Sequence, residues 1–382
     1  MKNKVLKITI SLGIIFLFLG LSVIMVNAQY VKIKEERLKN QFKGSETLDM
    51  LIFISPQYNL DSEINTAINA YMNALKQDIS WDTKIIKIFE ENNNYETIDI
   101  IIENYYEKYK IKSCLMVGED LDTPLAGDTD YMEKPSIIPW STLGLTSAYE
   151  KSTPGIISST YKMDICISLL YPTSQDEYNT KKYNIISAFE KFNKNRNKEF
   201  FDEITVFESK DINSHSKNIY ENINAYANLY YKENPNYSDL EESVKKHNSI
   251  YFIHGHSNPS GTIVNSHEKI WFSADEIENI NTPFFGADGC YVSGWWSDKS
   301  DNNKLDSSIN GIWYGSKILT SKNVKVMVLG LLSQNGYEDS VSFIENVLPN
   351  LSSGKTLAES MIGSYFTGDF NIYGDPSFYF TL

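Results

Sequence analysis

The chain has 382 residues, 42% of them hydrophobic, enough for one large domain or two ordinary ones with a substantial core. Its 49 acidic side chains against 35 basic ones leave a formal net charge of -14. That balance excludes nucleic acid as the expected partner, because phosphate contacts need a basic face, and the composition is not that of a disordered chain.

Residues 1–28 read as a leader. Lys2, Lys4 and Lys7 form a positive head, Ile8 to Val26 is an uncharged and mostly apolar run, and Val26-Asn27-Ala28 precedes Gln29. That is the pattern of a signal peptide. The run is nearly long enough to span a bilayer, so a retained N-terminal membrane anchor is the alternative. Either places the remainder outside the cytoplasm, secreted or at the cell surface. The abundance of Asn, Lys, Ile and Tyr fits a bacterium with an AT-rich genome. Residues 29–49 are charged and lysine-rich, a linker or short pro-segment.

From there the elements alternate. "MLIFISPQ" (50–57) predicts a buried strand. Leu60 to Gln77 predicts a helix with Ile64, Ala67, Ile68, Tyr71 and Leu75 on one stripe. "TKIIKIF" (83–89) is a strand, and Ile98 to Lys110 a helix packing through Ile98, Ile101, Ile102, Tyr105 and Tyr109. "SCLMVG" (113–118) is a strand. Glu119 to Thr160 sustains no period and reads as loop, its Asp120–Asp130 acids as solvated turns. Residues 50–160 would thus be an N-terminal α/β subdomain.

Residues 161–382 would form a second subdomain carrying the chemistry. "YKMDICISLLY" (161–171) returns to strand. The helix over 172–192 packs through Tyr178, Tyr183, Ile186, Phe189 and Phe192. A strand near 201–207, a helix near 215–232 and a short helix over Asp239–Lys246 follow. "SIYFI" (249–253) is a buried strand, Ser273–Ile280 a short element started by Asp275 and Glu276, and "NVKVMVLGLL" (323–332) a buried strand. Helices are expected over 339–348 and 355–366. Strands alternating with helices make an α/β fold, a mostly parallel sheet with helices on both faces.

Four of the five histidines, His247, His254, His256 and His267, fall close together, and two of them end the 249–253 strand in His-Gly-His. A second apolar run, "TPFFGADGC", ends at Cys290. Cys114 and Cys166 sit inside strands and read as buried, inert thiols. In open α/β sheets ligands bind beyond the carboxyl ends of strands. Two adjacent parallel strands would therefore bring a histidine and Cys290 to one edge. There an imidazole could activate the thiol for attack on a carbonyl, with backbone N–H groups holding the oxyanion. The expected donors are those of Ser257 or Gly255 with Gly289 and Cys290. Asp288 reads as a solvated or turn-capping acid. His254, His256, His267 and Cys290 fit no compact zinc spacing, so neither metal nor cofactor is expected.

These blocks resemble the gingipain family of cysteine peptidases, relatives of caspases, legumains and clostripain. In that family one strand leads into Gly-His-Gly and a second into the nucleophilic cysteine. Further similar blocks are "MVGED" (116–120), "MDICISLLYPTSQDEYN" (163–179), "VMVLGLL" (326–332), "GKTLAESMI" (354–362) and "YGDPSF" (373–378). The resemblance implies a three-layer caspase-like fold and a Cys-His pair hydrolysing peptide bonds in a peptide or protein substrate. Gly255-His256-Ser257 is the better match to the histidine step, with Ile253-His254-Gly255 the alternative. The aromatic side chains Trp271, Trp295 and Trp296 would line a substrate groove. An inactive caspase-like binding or structural module is the rival reading, and an amidase or acyltransferase with the same nucleophile a third. Oligomeric state is not legible.

Overall fold

The computed structural model describes residues 47–128, 131–143, 161–173, 176–194, 196, 199–212, 227–258, 260–289, 314–330, 343, 346–366 and 370–381. The leader 1–28, nearly all of 29–49, Cys290, Trp295 and Trp296 lie outside them.

The chain opens with β1 (Met50–Ile54), α1 (Ser62–Ile79), β2 (Thr83–Lys87), α2 (Tyr95–Tyr109) and β3 (Ser113–Val117). Asp61 caps α1 by accepting from the N–H groups of Glu63 and Ile64, and Ser80 ends it in the left-handed conformation. Ile64, Ile68, Tyr71 and Leu75 face inward at the expected spacing. Each stabilises the packing by roughly 2 kcal/mol. Asn94 caps α2 in the same way, and Ile98, Ile101, Ile102 and Tyr105 are its buried face.

The stretch expected to be loop holds a hairpin, β4 (Leu125–Asp128) with β5 (Tyr131–Pro135), and one helical turn, α3 (Ile138–Ser141). Strands of four and five residues broken by a bulge are too short to carry a period, which is why the pattern missed them. Next come β6 (Tyr161–Lys162), β7 (Cys166–Leu170), α4 (Tyr178–Asn193), β8 (Glu203–Glu208) and β9 (Asn228–Glu233). The helix expected near 215–232 is corrected over its last residues: "NLYYKE" is an edge strand parallel to β8. Its aromatic residues suit a half-covered pleat.

The inward face of α4 is also corrected. Tyr183 is 70% exposed and Tyr178 39%, while Lys181, Ile185, Ala188, Phe189, Lys191 and Phe192 are buried. Two lysines enter because each finds partners. Lys181 pairs with Glu119 at 2.5 Å, and Lys191 donates to the carbonyls of Ile318 and Ser321. Phe189 and Phe192 stand 5.4 and 6.1 Å from the Tyr71 ring, joining α4 to α1.

The remaining elements are α5 (Tyr237–Lys245), β10 (Ile250–His254), β11 (His256–Asn258), β12 (Gly261–Asn265), β13 (Ile270–Ser273), β14 (Phe284–Asp288), α6 (Lys317–Thr320), β15 (Val326–Gly330), α7 (Leu357–Met361), β16 (Tyr365–Phe366) and β17 (Phe370–Gly374). The helix expected over 355–366 stops early, at a turn where Gly363 takes a φ of 79°, and β16 follows.

Ten of these strands form one sheet in the order β2-β1-β3-β7-β17-β15-β14-β10-β8-β9. It is mostly parallel, with β17 running against β15, and helices cover both faces, giving a three-layer α/β fold of caspase-like type. β3 of the 50–160 stretch pairs with β7 of the 161–382 stretch, so strands of both lie in this sheet. Asp375 of the "YGDPSF" block is buried and structural: it takes Arg196 at 2.9 Å, while Arg196 also holds Asp78 at 2.9 Å. Cys114 and Cys166 are fully buried, and burial pushes both thiols up, as inert core groups should be. Among the described residues no helix is long and apolar enough to cross a membrane.

Candidate functional site

Three neighbouring parallel strands place three ionisable residues in line. Glu208 ends β8, His254 ends β10 and Asp288 ends β14, and the register pairs His254 with both. Residues in register point to the same face, so the three side chains share one carboxyl-terminal edge. All are buried, with exposures of 3%, 1% and 1%. His254 Nδ1 lies 3.2 Å from Glu208 Oε1, and Tyr231 of β9 donates its hydroxyl to Glu208 Oε2 at 2.5 Å. Burial alone would push the His254 ring down. The hydrogen bond to Glu208 and the charges of Asp288 and Glu208 outweigh it, so the pKa is raised and the cation favoured. Asp288 is thus buried, not solvated.

Past His254 the chain leaves the sheet. The N–H of Gly255 donates to the carbonyl of Asp288 at 3.1 Å, which extends the ladder by one bond and commits that donor. The backbone then enters the β11–β12–β13 hairpin sheet. Gly255 cannot carry a side chain there, because a Cβ would sit 2.0 Å from the carbonyl oxygen of Ile263. An aromatic stack supports this small sheet: Tyr251, Phe272, Phe285 and Tyr314 succeed one another at 5.7 to 5.9 Å. The Tyr314 hydroxyl donates to Phe272 O at 2.8 Å and lies 3.2 Å from the Thr262 hydroxyl.

His256 stands on β11, and its environment is the reverse of that of His254. Its side chain is 59% exposed, and Nε2 lies 3.3 Å from Asp211 Oδ2 in the turn after β8. Nδ1 has no protein partner among the described residues. Asp211 keeps a lowered pKa. Its own burial opposes this, but hydrogen bonds from Ser209, its backbone and Ser266, with the His256 charge, outweigh that burial.

The two arms meet at Gly289. Its φ is 155°, and an added Cβ would fall 2.1 Å from Gly255 O and 2.2 Å from Ser257 Oγ. Only glycine lets the residue before Cys290 pass against the residues that flank His256. The Ser257 hydroxyl is held by Gly255 O and Thr262 Oγ1, each at 2.9 Å. Trp271 on β13 is half-buried and covers Gly261, where a Cβ would strike the indole at 2.1 Å. Cys290, Trp295 and Trp296 lie outside the described residues. His267 lies in the β12–β13 turn and His247 before β10. Among the described residues no cluster of three or more His, Cys, Asp or Glu is disposed to hold a metal ion.

Glu208, Asp211 and Tyr231 went unread in the sequence. The retrievable signal was weak: a strand, 203–208, ending in an acid, as β10 ends in histidine and β14 in aspartate.

The sequence matches no protein-family profile and no curated protein. Among solved structures the fold is similar to that of the Arg-specific cysteine proteinase gingipain R, with a TM-score of 0.58 and 13% identity over 88% of this chain and 79% of that one. A complex of the pro- and mature domains of RgpB from Porphyromonas gingivalis gives a TM-score of 0.56, again at 13% identity, over 86% and 79%. At that identity the likeness is one of fold alone: this chain has a three-layer, caspase-like α/β architecture.

Proposed function

We propose that the protein is a cysteine-type endopeptidase acting outside the cytoplasm, secreted or tethered by its leader, with Cys290 as nucleophile and His256 as base. The observation that carries the reading is the Gly289 junction. The residue before Cys290 packs against Gly255 and Ser257, the neighbours of His256, at the carboxyl edge of a gingipain-like sheet.

The choice between the histidines follows from their surroundings. His254 is walled in by Glu208 and Asp288 and favours its charged form, which suits an anchor and not a base. His256 is open to solvent, with Nε2 turned to Asp211 and Nδ1 the nitrogen left for the thiol. In this scheme Nδ1 takes the Cys290 proton and the thiolate attacks the scissile carbonyl carbon. The tetrahedral oxyanion rests on the N–H groups of Ser257 and of Gly289 or Cys290, since that of Gly255 is already donated to Asp288. His256 returns the proton to the leaving amine as the C–N bond breaks. Water then hydrolyses the thioester and restores the thiol. Trp271, Trp295 and Trp296 would line the substrate groove.

The test is labelling by a thiol-reactive peptidyl probe, run beside cleavage of a peptide library. The expected result is rapid labelling of the native protein, lost in both Cys290→Ala and His256→Ala. Labelling no faster than in denatured protein, with no peptide cleaved, would leave the fold as a binding module. Labelling lost in His254→Ala but kept in His256→Ala would reverse the assignment of the base.

A further inference from the structure

The opposite edge of the sheet carries a second concavity with a different charge. A cavity of about 310 Å³ opens beside the residues that lead into β14 and β15 and the carboxyl end of α4. Its ionisable lining is Lys191, Lys194, Lys322, Lys325, His247 and a single carboxylate, Glu199. In a chain with a net charge of -14, four lysines and a histidine around one acid are a local inversion.

Two of those lysines are buried, Lys191 at 9% exposure and Lys325 at 5%. Lys325 Nζ lies 3.1 Å from Glu199 Oε1, while Glu199 Oε2 also faces His247 Nε2 at 3.8 Å. That carboxylate is thus shared. Lys191 has no counter-ion among the described residues: it donates to the carbonyl of Ile318 and to the carbonyl and hydroxyl of Ser321, all neutral oxygens. Lys194 and Lys322 are exposed at the mouth and make no ion pair among the described residues. Helix-end lysines complement the macrodipole, which accounts for Lys194. It does not account for Lys322 or Lys325, which converge on the same space from another part of the chain.

We propose that this cavity is a binding site for a compact, doubly charged oxyanion of the phosphate type, distinct from the Cys-His edge. The space is at the small end of ligand pockets, suited to one such group and too small for a polymer. The lining supplies flexible ammonium donors from two segments, 191–194 and 322–325, with His247 from a third, and a dianion there would supply the negative charge that Glu199 alone cannot. Burial, with the Lys325 charge, lowers the Lys191 ammonium to about 7. A bound dianion favours the charged lysine, so binding above neutral pH should take up protons.

The test is calorimetric titration of the full chain with inorganic phosphate, against chloride at matched ionic strength. Saturable binding is expected in the wild type, weakened tenfold or more in the double variant Lys194→Gln/Lys322→Gln. Those side chains are exposed, so the variant should keep the wild-type fold and unfolding midpoint. A second titration uses inorganic sulfate, whose charge is constant from neutral to mildly basic pH, in two buffers of different ionisation enthalpy. A difference in apparent heat reports the proton uptake. Absence of binding up to about 20 mM anion, an affinity far weaker than specific sites show, would overturn the proposal. So would equal affinity in wild type and double variant. The readout is binding, so neither result depends on whether Cys290 is an active nucleophile.

Discussion

His254 and His256 are separated by one glycine and live in different physical worlds. His254 ends a central strand, is 1% exposed and is held between two buried acids. His256 begins a peripheral hairpin and sets its Nε2 3.3 Å from Asp211 in contact with solvent. One burial step separates an imidazole open to solvent from one that ties two strand ends together. The difference predicts that the two residues fail in opposite ways when removed.

The broadest way to break the comparison lies outside both histidines. If Cys290 is the nucleophile, Cys290→Ala should lower peptide cleavage by a factor on the order of 10⁴ or more. Its unfolding midpoint should stay near that of wild type. A variant that keeps most of its turnover would dissolve the Cys-His reading and, with it, the reason to ask which histidine works.

The histidines themselves give the sharper test. His256→Ala should lose activity by a factor on the order of 10³ with little change in stability, because its ring packs against little. His254→Ala leaves Glu208 and Asp288 facing each other in a dry edge. Breaking a buried pair in that way costs about 3 kcal/mol, read in denaturant unfolding. Glu208→Gln should fall between, since the Tyr231 hydroxyl keeps an acceptor. A crossing of the two readouts, activity for one residue and stability for the other, is the outcome that upholds the contrast.

How much of this was legible beforehand differs by element. β1, α1, β3, β10 and β14 were readable because each is a run of one period, buried on the faces that period predicts. β4, β5 and β9 were not, being short, bulged or at an edge where aromatic residues mimic a helix stripe. The His-Gly-His step was visible from residue type alone. The Glu208–His254–Asp288 row was not, because its members lie on strands far apart in sequence and meet only through register. Nor does composition tell that Lys181 and Lys191 go inward, since burial of a lysine depends on partners contributed by distant segments.

Gly289 tests whether the two arms must touch. Gly289→Ala would place a Cβ 2.1 Å from the backbone oxygen of Gly255, which cannot give way without moving the hairpin. Overpacking of this kind costs roughly 1–3 kcal/mol. Activity should fall further than stability, since the shift would displace His256 from the residue after position 289. Equal turnover in this variant would place the working geometry elsewhere.

A gentler probe is pH. The folded pKa of His254 is raised above its unfolded value near 6.5. Its pair with Glu208 therefore contributes stability that is fully present below pH 6.5 and lost as pH rises through the folded value. Unfolding free energy measured from pH 6 upward should decline through that window, and His254→Gln should flatten the decline. A slope unchanged in that variant would assign the effect to another group.

The smallest expected effect belongs to the exposed pair, and it completes the contrast. Asp211 and His256 are 40% and 59% exposed, so water and salt screen their attraction. Asp211→Asn should change stability by no more than about 0.5 kcal/mol, an effect that high salt would abolish. Its consequence should appear instead in turnover, because Asp211 fixes which nitrogen of the His256 ring turns away from it. Loss of activity with preserved stability would mark Asp211 as a positioning residue for the base. Loss of stability on the scale of the His254 pair would mean that the hairpin edge is as buried in solution as the strand edge, and the contrast between the two histidines would not hold.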